Sequence, residues 1–277
     1  MVRKQQLQDF VHWLLGRRIQ SQLSGPISVR HFRRQIAWCW GIEPKPELTG
    51  EVHEVIIIDG IRIGHLVCIV ARTPEYVLSW VWVPYESSKT WSLLLNQLPA
   101  PEYVVCDGQK GILLALSRCW SDATVQRCLF HVLLNMKAKL TLNPNSTAGV
   151  ELKNLFSRIW YVKTQNQAKY WIKEFEGLYS KHEKFLKEKT EHPNPKTGQR
   201  RWWYIHRSVR SAYRQIDKLI KDEQLFNYTT IDIPRTTNHL EGGINAQIRQ
   251  KIRLHKGLSW EKQQRLVDWY LYTRTER

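Results

Sequence analysis

The run Val55-Ile56-Ile57-Ile58-Asp59-Gly60 constrains this chain more than any other stretch. Four consecutive β-branched residues, bounded by His53-Glu54 and a glycine, have the length and composition of a strand buried on both faces. Asp59, as the last residue of that strand, then emerges at the sheet edge, fixed but reachable. A second segment has the same shape: Glu102-Tyr103-Val104-Val105-Cys106-Asp107-Gly108 again runs apolar residues into an Asp-Gly pair. Taken singly, each pair is also the commonest way for a turn to close a strand. Two of them in a strongly basic chain point to a metal site.

The charge balance narrows the partners. Lys and Arg number 42 against 25 Asp and Glu, a formal net charge of +17 and a pI of about 9.8, and a surplus of that size calls for a polyanion, by default nucleic acid. An anionic membrane surface is the rival, but no segment approaches the roughly 18 consecutive apolar residues of a spanning helix, and no signal peptide opens the chain. The expectation is a soluble, cytoplasmic, nucleoid-associated protein with no membrane partner. The five cysteines are odd in number and contain no C-x-x-C, which indicates neither a disulfide framework nor a zinc ribbon and fits a reducing compartment. Thirteen tryptophans exceed what one core needs, and aromatic faces beside cations also stack on unpaired bases.

Taken in order, residues 1–45 read as helical, with Leu7, Phe10, Val11, Leu14 and Leu15 at helical spacing and a break at Leu23-Ser24-Gly25-Pro26. Ser28 caps a second helix carrying Arg30, Arg33 and Arg34 on one side and Phe32, Ile36 and Trp40 on the other. The pattern is compatible with a DNA-binding helix-turn-helix and equally with a basic hairpin packed on the next domain. Residues 50–132 are β-rich. Strands are expected at 52–59, 65–72 and 76–84 as an antiparallel meander, then a helix capped at Ser87 or Ser88, a strand at 102–107, a helix over 111–120 and a strand at 123–130. Three hairpin strands followed by helix, strand, helix and strand is the order of a ribonuclease H-like α/β fold, a mixed sheet flanked by helices. Its first strand sits centrally beside the fourth, which would make Asp59 and Asp107 neighbours.

Residues 133–233 read as an all-helical insertion rich in Lys, Trp and Tyr, interrupted by a loop at 192–198. Gln199-Arg200-Arg201-Trp202-Trp203-Tyr204 is expected to open another helix, either presenting Arg200, Arg201, Trp202 and Trp203 to nucleic acid or pinning its aromatic face into the insertion core. Residues 234–277 complete the core. Leu240, Ile244, Ile248 and Ile252 form one apolar helical stripe, and Glu241, Asn245 and Arg249 fall on the adjoining one, with Arg253 in the basic tail. Asn238-His239-Leu240-Glu241 also has the spacing of a capping box, in which Glu241 only returns to the cap.

Two aspartates at strand ends and a glutamate on a late helix are what two divalent cations need for phosphodiester chemistry, because hard Mg²⁺ prefers carboxylate oxygens. Asp59, Asp107 before a glycine, Cys128-Leu129-Phe130-His131 and Thr236-Thr237-Asn238-His239-Leu240-Glu241-Gly242-Gly243-Ile244-Asn245 resemble the Mutator-type DDE transposases of bacterial insertion sequences over about residues 50 to 275. The resemblance implies a ribonuclease H-like core with a helical insertion before the Glu. It implies Asp59, Asp107 and Glu241 as the triad holding two Mg²⁺ ions, with Mn²⁺ as substitute, and Cys128 and His131 as an accessory C-x-x-H pair near the scissile phosphate. It also implies double-stranded DNA as partner, both element ends and target, engaged by a homodimer. Cys128 and His131 invite a zinc reading too, but no second Cys-His pair completes four ligands. Relatives often begin with a longer DNA-binding region, whereas this sequence starts directly with the helical segment.

Overall fold

The computed structural model describes residues 2–16, 18–193, 198, 200–237 and 243–275. It divides into two compact units: Met1–Val104, Gly108–Ala123 and Thr237–Arg277 form the first, and Val105–Asp107 with Thr124–Thr236 the second. The fold is α/β, built on a five-stranded mixed sheet with flanking helices.

The first unit opens with α1 (Val2–Leu15), the single turn α2 (Gln20–Leu23) and α3 (Val29–Gln35), which runs on into a 3₁₀ turn. Ser28 caps α3 by accepting the His31 N–H at 3.2 Å, as its sequence position foretells. Phe10 and Leu14 of α1 are buried with Phe32 and Ile36, so the apolar sides of both helices meet in one core.

The sheet follows. Strand β1 (Val55–Ile63) pairs antiparallel with β2 (Leu66–Arg72), which pairs antiparallel with β3 (Val77–Val83). Helix α4 (Ser88–Leu95) is capped by Ser87, then come β4 (Tyr103–Cys106), α5 (Lys110–Cys119) and β5 (Thr124–Arg127). The strand order is β3-β2-β1-β4-β5, so β1 is central and beside β4.

Strand β1 corrects one expectation. It does not stop at Asp59 but runs four residues further, with Asp59 opposite Val70 and Gly60 opposite Ile69. Ile61 and Ile63 are buried, so the inward-facing alternation resumes past the glycine and carries the strand with it. The turn falls at Gly64, whose φ of +60° suits glycine and where a Cβ would collide with the ring of Trp260.

In the second unit, α6 (Leu129–Leu140), α7 (Thr147–Ser157), α8 (Gln165–Lys181) and α9 (Glu183–Lys187) lead into strands β6 (Lys189–Pro193) and β7 (Arg200–Tyr204), then α10 (Arg207–Lys221). The insertion is therefore not all-helical. Residues 200–204 form a strand of an antiparallel hairpin, with Glu191 opposite Trp202 and Thr190 opposite Trp203. Aromatic and threonine side chains fit the pleated surface of a two-stranded ribbon better than a crowded helix. The helical core lies around Trp171, Phe175 and Tyr213; the Tyr213 hydroxyl donates to the Ala148 carbonyl at 3.1 Å and the Trp171 indole to that of Leu155 at 3.2 Å.

Helices α11 (Ile244–Leu254) and α12 (Trp260–Tyr272) return to the first unit. Ile248 is fully buried against Val267, Tyr270 and Leu271, with Ile244 and Ile252 beside it, so the expected stripe packs inward; Leu240 lies outside the described residues. α12 also supplies Leu266 and Trp269 to the core of α1 and α3. No described helix is long and apolar enough to cross a membrane.

Asp268 fastens α12 to β3. Its Oδ1 accepts the indole N–H of Trp80 at 3.0 Å and of Trp82 at 2.8 Å, and its Oδ2 accepts from Arg265 at 3.3 Å. Burial pushes this carboxyl up, and the bonds from Trp82, Trp80 and Arg265 pull the other way. Asp268→Ala leaves the buried Trp80 donor without an acceptor and is expected to lower stability by about 2–4 kcal/mol in urea titration, whereas Asp268→Asn, which keeps a carbonyl oxygen, should lose less than half of that.

Candidate functional site

Asp59 sits half-buried in the middle of β1, on the sheet face it shares with Ile57, Val70 and Arg72. A carboxylate so placed must be bonded. Its Oδ1 accepts the N–H of Gly60 at 2.9 Å, and its Oδ2 accepts the Asn245 amide Nδ2 at 3.0 Å from the first turn of α11. Arg72, nearly buried at the end of β2, donates to the carbonyls of Thr73 and Thr237, each at 3.1 Å. Burial lowers the affinity of this guanidinium for its proton, and the charge of Asp59 raises it. A Cβ on Gly60 would come within 2.8 Å of Glu86 Oε1, the far end of a flexible side chain, so the Glu86 carboxylate lies close to this stretch of β1.

Asp107 directly follows β4, half-buried, and the chain turns after it through Gly108 at a φ of +69°. Its carbonyl accepts two bonds from the buried Arg127 guanidinium, from Nε at 3.1 Å and Nη2 at 2.7 Å. Burial lowers the Arg127 pKa, and Cys106, Asp107, Cys128 and Asp222 act against that. Cys128 is fully buried at the N-cap of α6, its N–H bonded to the Cys106 carbonyl at 2.8 Å, and His131 follows in the first helical turn with its ring edge-on to Phe130. The last strand thus ends at Arg127, three residues before its expected limit, because the C-x-x-H pair belongs to the helix start. None of the five cysteines forms a disulfide.

Glu241 lies outside the described residues. Among the described residues, no three His, Cys, Asp or Glu side chains gather into a metal-binding group. Arg249 and Arg253 are exposed one turn apart on α11. Of the hairpin residues, Arg200, Arg201 and Trp202 are exposed and Trp203 is half-buried, and neither tryptophan joins the helical core. Lys189 Nζ stands 4.0 Å over the Trp202 ring, with Tyr204 edge-on to it, while Trp203 stacks on His192 at 5.2 Å on the opposite face.

Sequence reasoning missed Arg72 and Arg127. Each closes a strand, where an arginine normally reads as a solvent-facing end, and only the partner carbonyls reveal its use. Arg127→Met should expose this. Loss of a charged double donor is expected to cost about 1.5–3 kcal/mol and to speed amide exchange at Gly108 and Gln109 beyond that at distant sites.

Residues 67–195 match the family described as Transposase, Mutator family. This stretch includes Asp107, Cys128 and His131 and leaves Asp59 and Glu241 outside. Among curated proteins, the chain is 26% identical over 149 residues to a transposase for insertion sequence element IS6120 of Mycolicibacterium smegmatis, covering 52% of this chain and 44% of that protein. It is 30% identical over 92 residues to a transposase for insertion sequence element IS905 of Lactococcus lactis subsp. lactis strain IL1403, covering 30% of this chain and 24% of the other. The chain therefore spans less than half the length of these two relatives. Over these residues the chain is similar to the Mutator-type transposases of insertion sequences.

Proposed function

We propose that this chain is a DNA transposase whose core is ribonuclease H-like and whose Asp59, Asp107 and Glu241 hold two divalent cations, Mg²⁺ or in its place Mn²⁺. The observation that carries the reading is the strand order β3-β2-β1-β4-β5, in which the Asp59 strand neighbours the strand that Asp107 follows. The donor chemistry fits: both aspartates offer hard carboxylate oxygen from a half-buried position, suited to Mg²⁺ rather than to a soft metal. When bound, two such ions stabilise the entering and leaving oxygens of an in-line displacement at phosphorus.

The residues of the chain do the rest. Gly60 and Asn245 orient the two oxygens of Asp59. Arg249 and Arg253 offer exposed cations to DNA phosphates, which position the duplex without reading its sequence. In the first step, water attacks phosphorus and the P–O3′ bond breaks, releasing a 3′-OH at the element end. In the second, that hydroxyl attacks a target phosphate, forming a new P–O bond to the element's 3′ end while the target's own P–O3′ bond breaks and its 3′-OH leaves. Cys128, being buried, supports the start of α6 rather than touching DNA, and His131 is the member of the pair nearer solvent.

Asp59→Asn, Asp107→Asn and Glu241→Gln are each expected to abolish nicking of labelled element-end DNA in Mg²⁺ while leaving retention of that DNA in a gel-shift assay nearly intact. Wild-type nicking by any one of them removes that residue from the triad. For Glu241, a capping role alone predicts a loss of roughly 0.5–2 kcal/mol in stability with cutting preserved. Products joined to plasmid target distinguish a transposase from a nuclease that only cuts.

The hairpin generates a second expectation. Trp202, 54% exposed and flanked by Lys189, can stack on a displaced base, an interaction of about 1–3 kcal/mol. With a fluorescent base analogue beside the nick site, Trp202→Ala should change the signal and slow cutting at unchanged melting temperature. Trp203→Ala, which removes the stack on His192, should instead lower the melting temperature. The reverse pattern would assign Trp202 to the fold.

A further inference from the structure

The end of α1 is tied to the end of α11, and a cleft opens beside the tie. The last carbonyls of a helix have no partner within it. Here those of Leu15 and Gly16 accept from Lys251 Nζ, the second at 3.2 Å, and that of Leu14 accepts from His255 Nε2 at 2.8 Å. A carbonyl can only accept, so this ring nitrogen carries a proton. The His255 ring lies edge-on to Trp13 at 5.0 Å, and the chain then swings through Gly257, at a φ of +91°, toward α12.

The cleft measures about 760 Å³, a size typical of ligand sites, and lies wholly within the first unit. Arg18, Arg33, Lys256 and Lys262 line it together with Trp13 and Trp40, and among the described residues no Asp or Glu does. None of the four cations forms an ion pair with a described residue; Arg33 donates to the neutral Gln20 amide at 2.6 Å. Trp13 and Trp40 are half-buried and edge-on to each other at 5.9 Å, and Lys262 Nζ stands 5.3 Å over the Trp40 ring. Like charges gathered without a counter-charge repel, so this lining calls for an anion, and the two indoles add a preference for one that carries a flat ring. Concavity decides the carrier. A duplex admits a protruding helix into its groove, whereas a single strand lies in a cleft with its phosphates on cations and its bases on indoles. Arg33, which a helix-turn-helix would turn toward a duplex, lines the cleft instead.

We propose that this cleft binds an unpaired stretch of DNA, with Arg18, Arg33, Lys256 and Lys262 on the phosphates and Trp13 or Trp40 against a base. The inference rests on DNA being the partner, and on neither the metal triad nor the hairpin tryptophans.

The test measures fluorescence anisotropy of labelled single-stranded and duplex oligonucleotides, in chelator and over a range of salt, with the full chain. Wild type is compared with Arg18→Gln/Lys256→Gln/Lys262→Gln and with Lys163→Gln/Lys169→Gln/Lys173→Gln, which removes the same charge from exposed positions of the second unit. The cleft variant should bind the single strand more weakly, with a slope of log affinity on log salt shallower by about 2, three cations at about 0.7 each. The control variant, and duplex binding by the cleft variant, should change less than half as much. Equal losses in the two variants, or a larger loss on duplex than on single strand, overturn the proposal. Inorganic phosphate at matched ionic strength should displace little of the single strand; complete displacement would make this a free-anion site only. Photocrosslinking of a 5-iodouracil oligonucleotide, mapped by mass spectrometry, should mark Trp13 or Trp40, and crosslinks confined to Trp202 and Trp203 contradict the site without any substitution. If wild type retains neither oligonucleotide, the reading of DNA as partner falls, and the cleft proposal with it; if it retains duplex alone, only the cleft proposal does.

Discussion

A carboxylate in the middle of a buried strand is the constraint around which this chain is arranged. Ile56, Ile57 and Ile58 lock β1 into the centre of the sheet, and the very next residue, Asp59, brings a charge onto the same strand. Burying a charge costs several kcal/mol unless it is paired and hydrogen-bonded. The structure answers with the amide of the next residue, Gly60, and with two groups distant in sequence, the Arg72 guanidinium from β2 and the Asn245 amide from α11. Helix α11 can be offered to Asp59 because Ile248 seats it on the core, and α12 in turn is fastened to β3 through Asp268.

The same economy appears after β4. Asp107 emerges where the chain turns at a left-handed glycine, and the buried Arg127 holds the backbone there by its carbonyl, leaving the orientation of the carboxylate to its own surroundings. In both places a buried arginine at the end of a strand donates to backbone carbonyls, Arg72 to those of Thr73 and Thr237 and Arg127 to that of Asp107. Backbone restraint of this kind fixes where a carboxylate starts from, and that is the preorganisation a two-cation site needs.

What was legible in the sequence was what adjacent residues decide. The β-branched run, the helical spacing of Phe10 and Leu14, the Ser28 and Ser87 caps and the inward stripe through Ile248 all report local periodicity or capping, and each is found where the spacing puts it. Two readings failed for a shared reason. Asp59-Gly60 looked like a strand end because Asp-Gly is a turn signal, yet Ile61 and Ile63 outweigh it by continuing the buried face. Arg200–Tyr204 looked helical because it borders helices, yet a short aromatic run has no period by which to choose, and pairing with Lys189–Pro193 decided it. The roles of Arg72, Asn245 and Asp268 were illegible because their partners lie far along the chain, and no local pattern encodes a bond between strand and helix.

The central claim is that Asp59, Asp107 and Glu241 place divalent cations against one phosphate. Stereospecific sulfur substitution at the scissile phosphate tests it most directly, because Mg²⁺ binds sulfur poorly and Mn²⁺ tolerates it. The account predicts that one phosphorothioate diastereomer of element-end DNA resists nicking in Mg²⁺ and is cut again when Mn²⁺ is supplied, with both effects absent in Asp59→Asn. Equal cutting of both diastereomers in Mg²⁺, or cutting that persists in chelator, would contradict it.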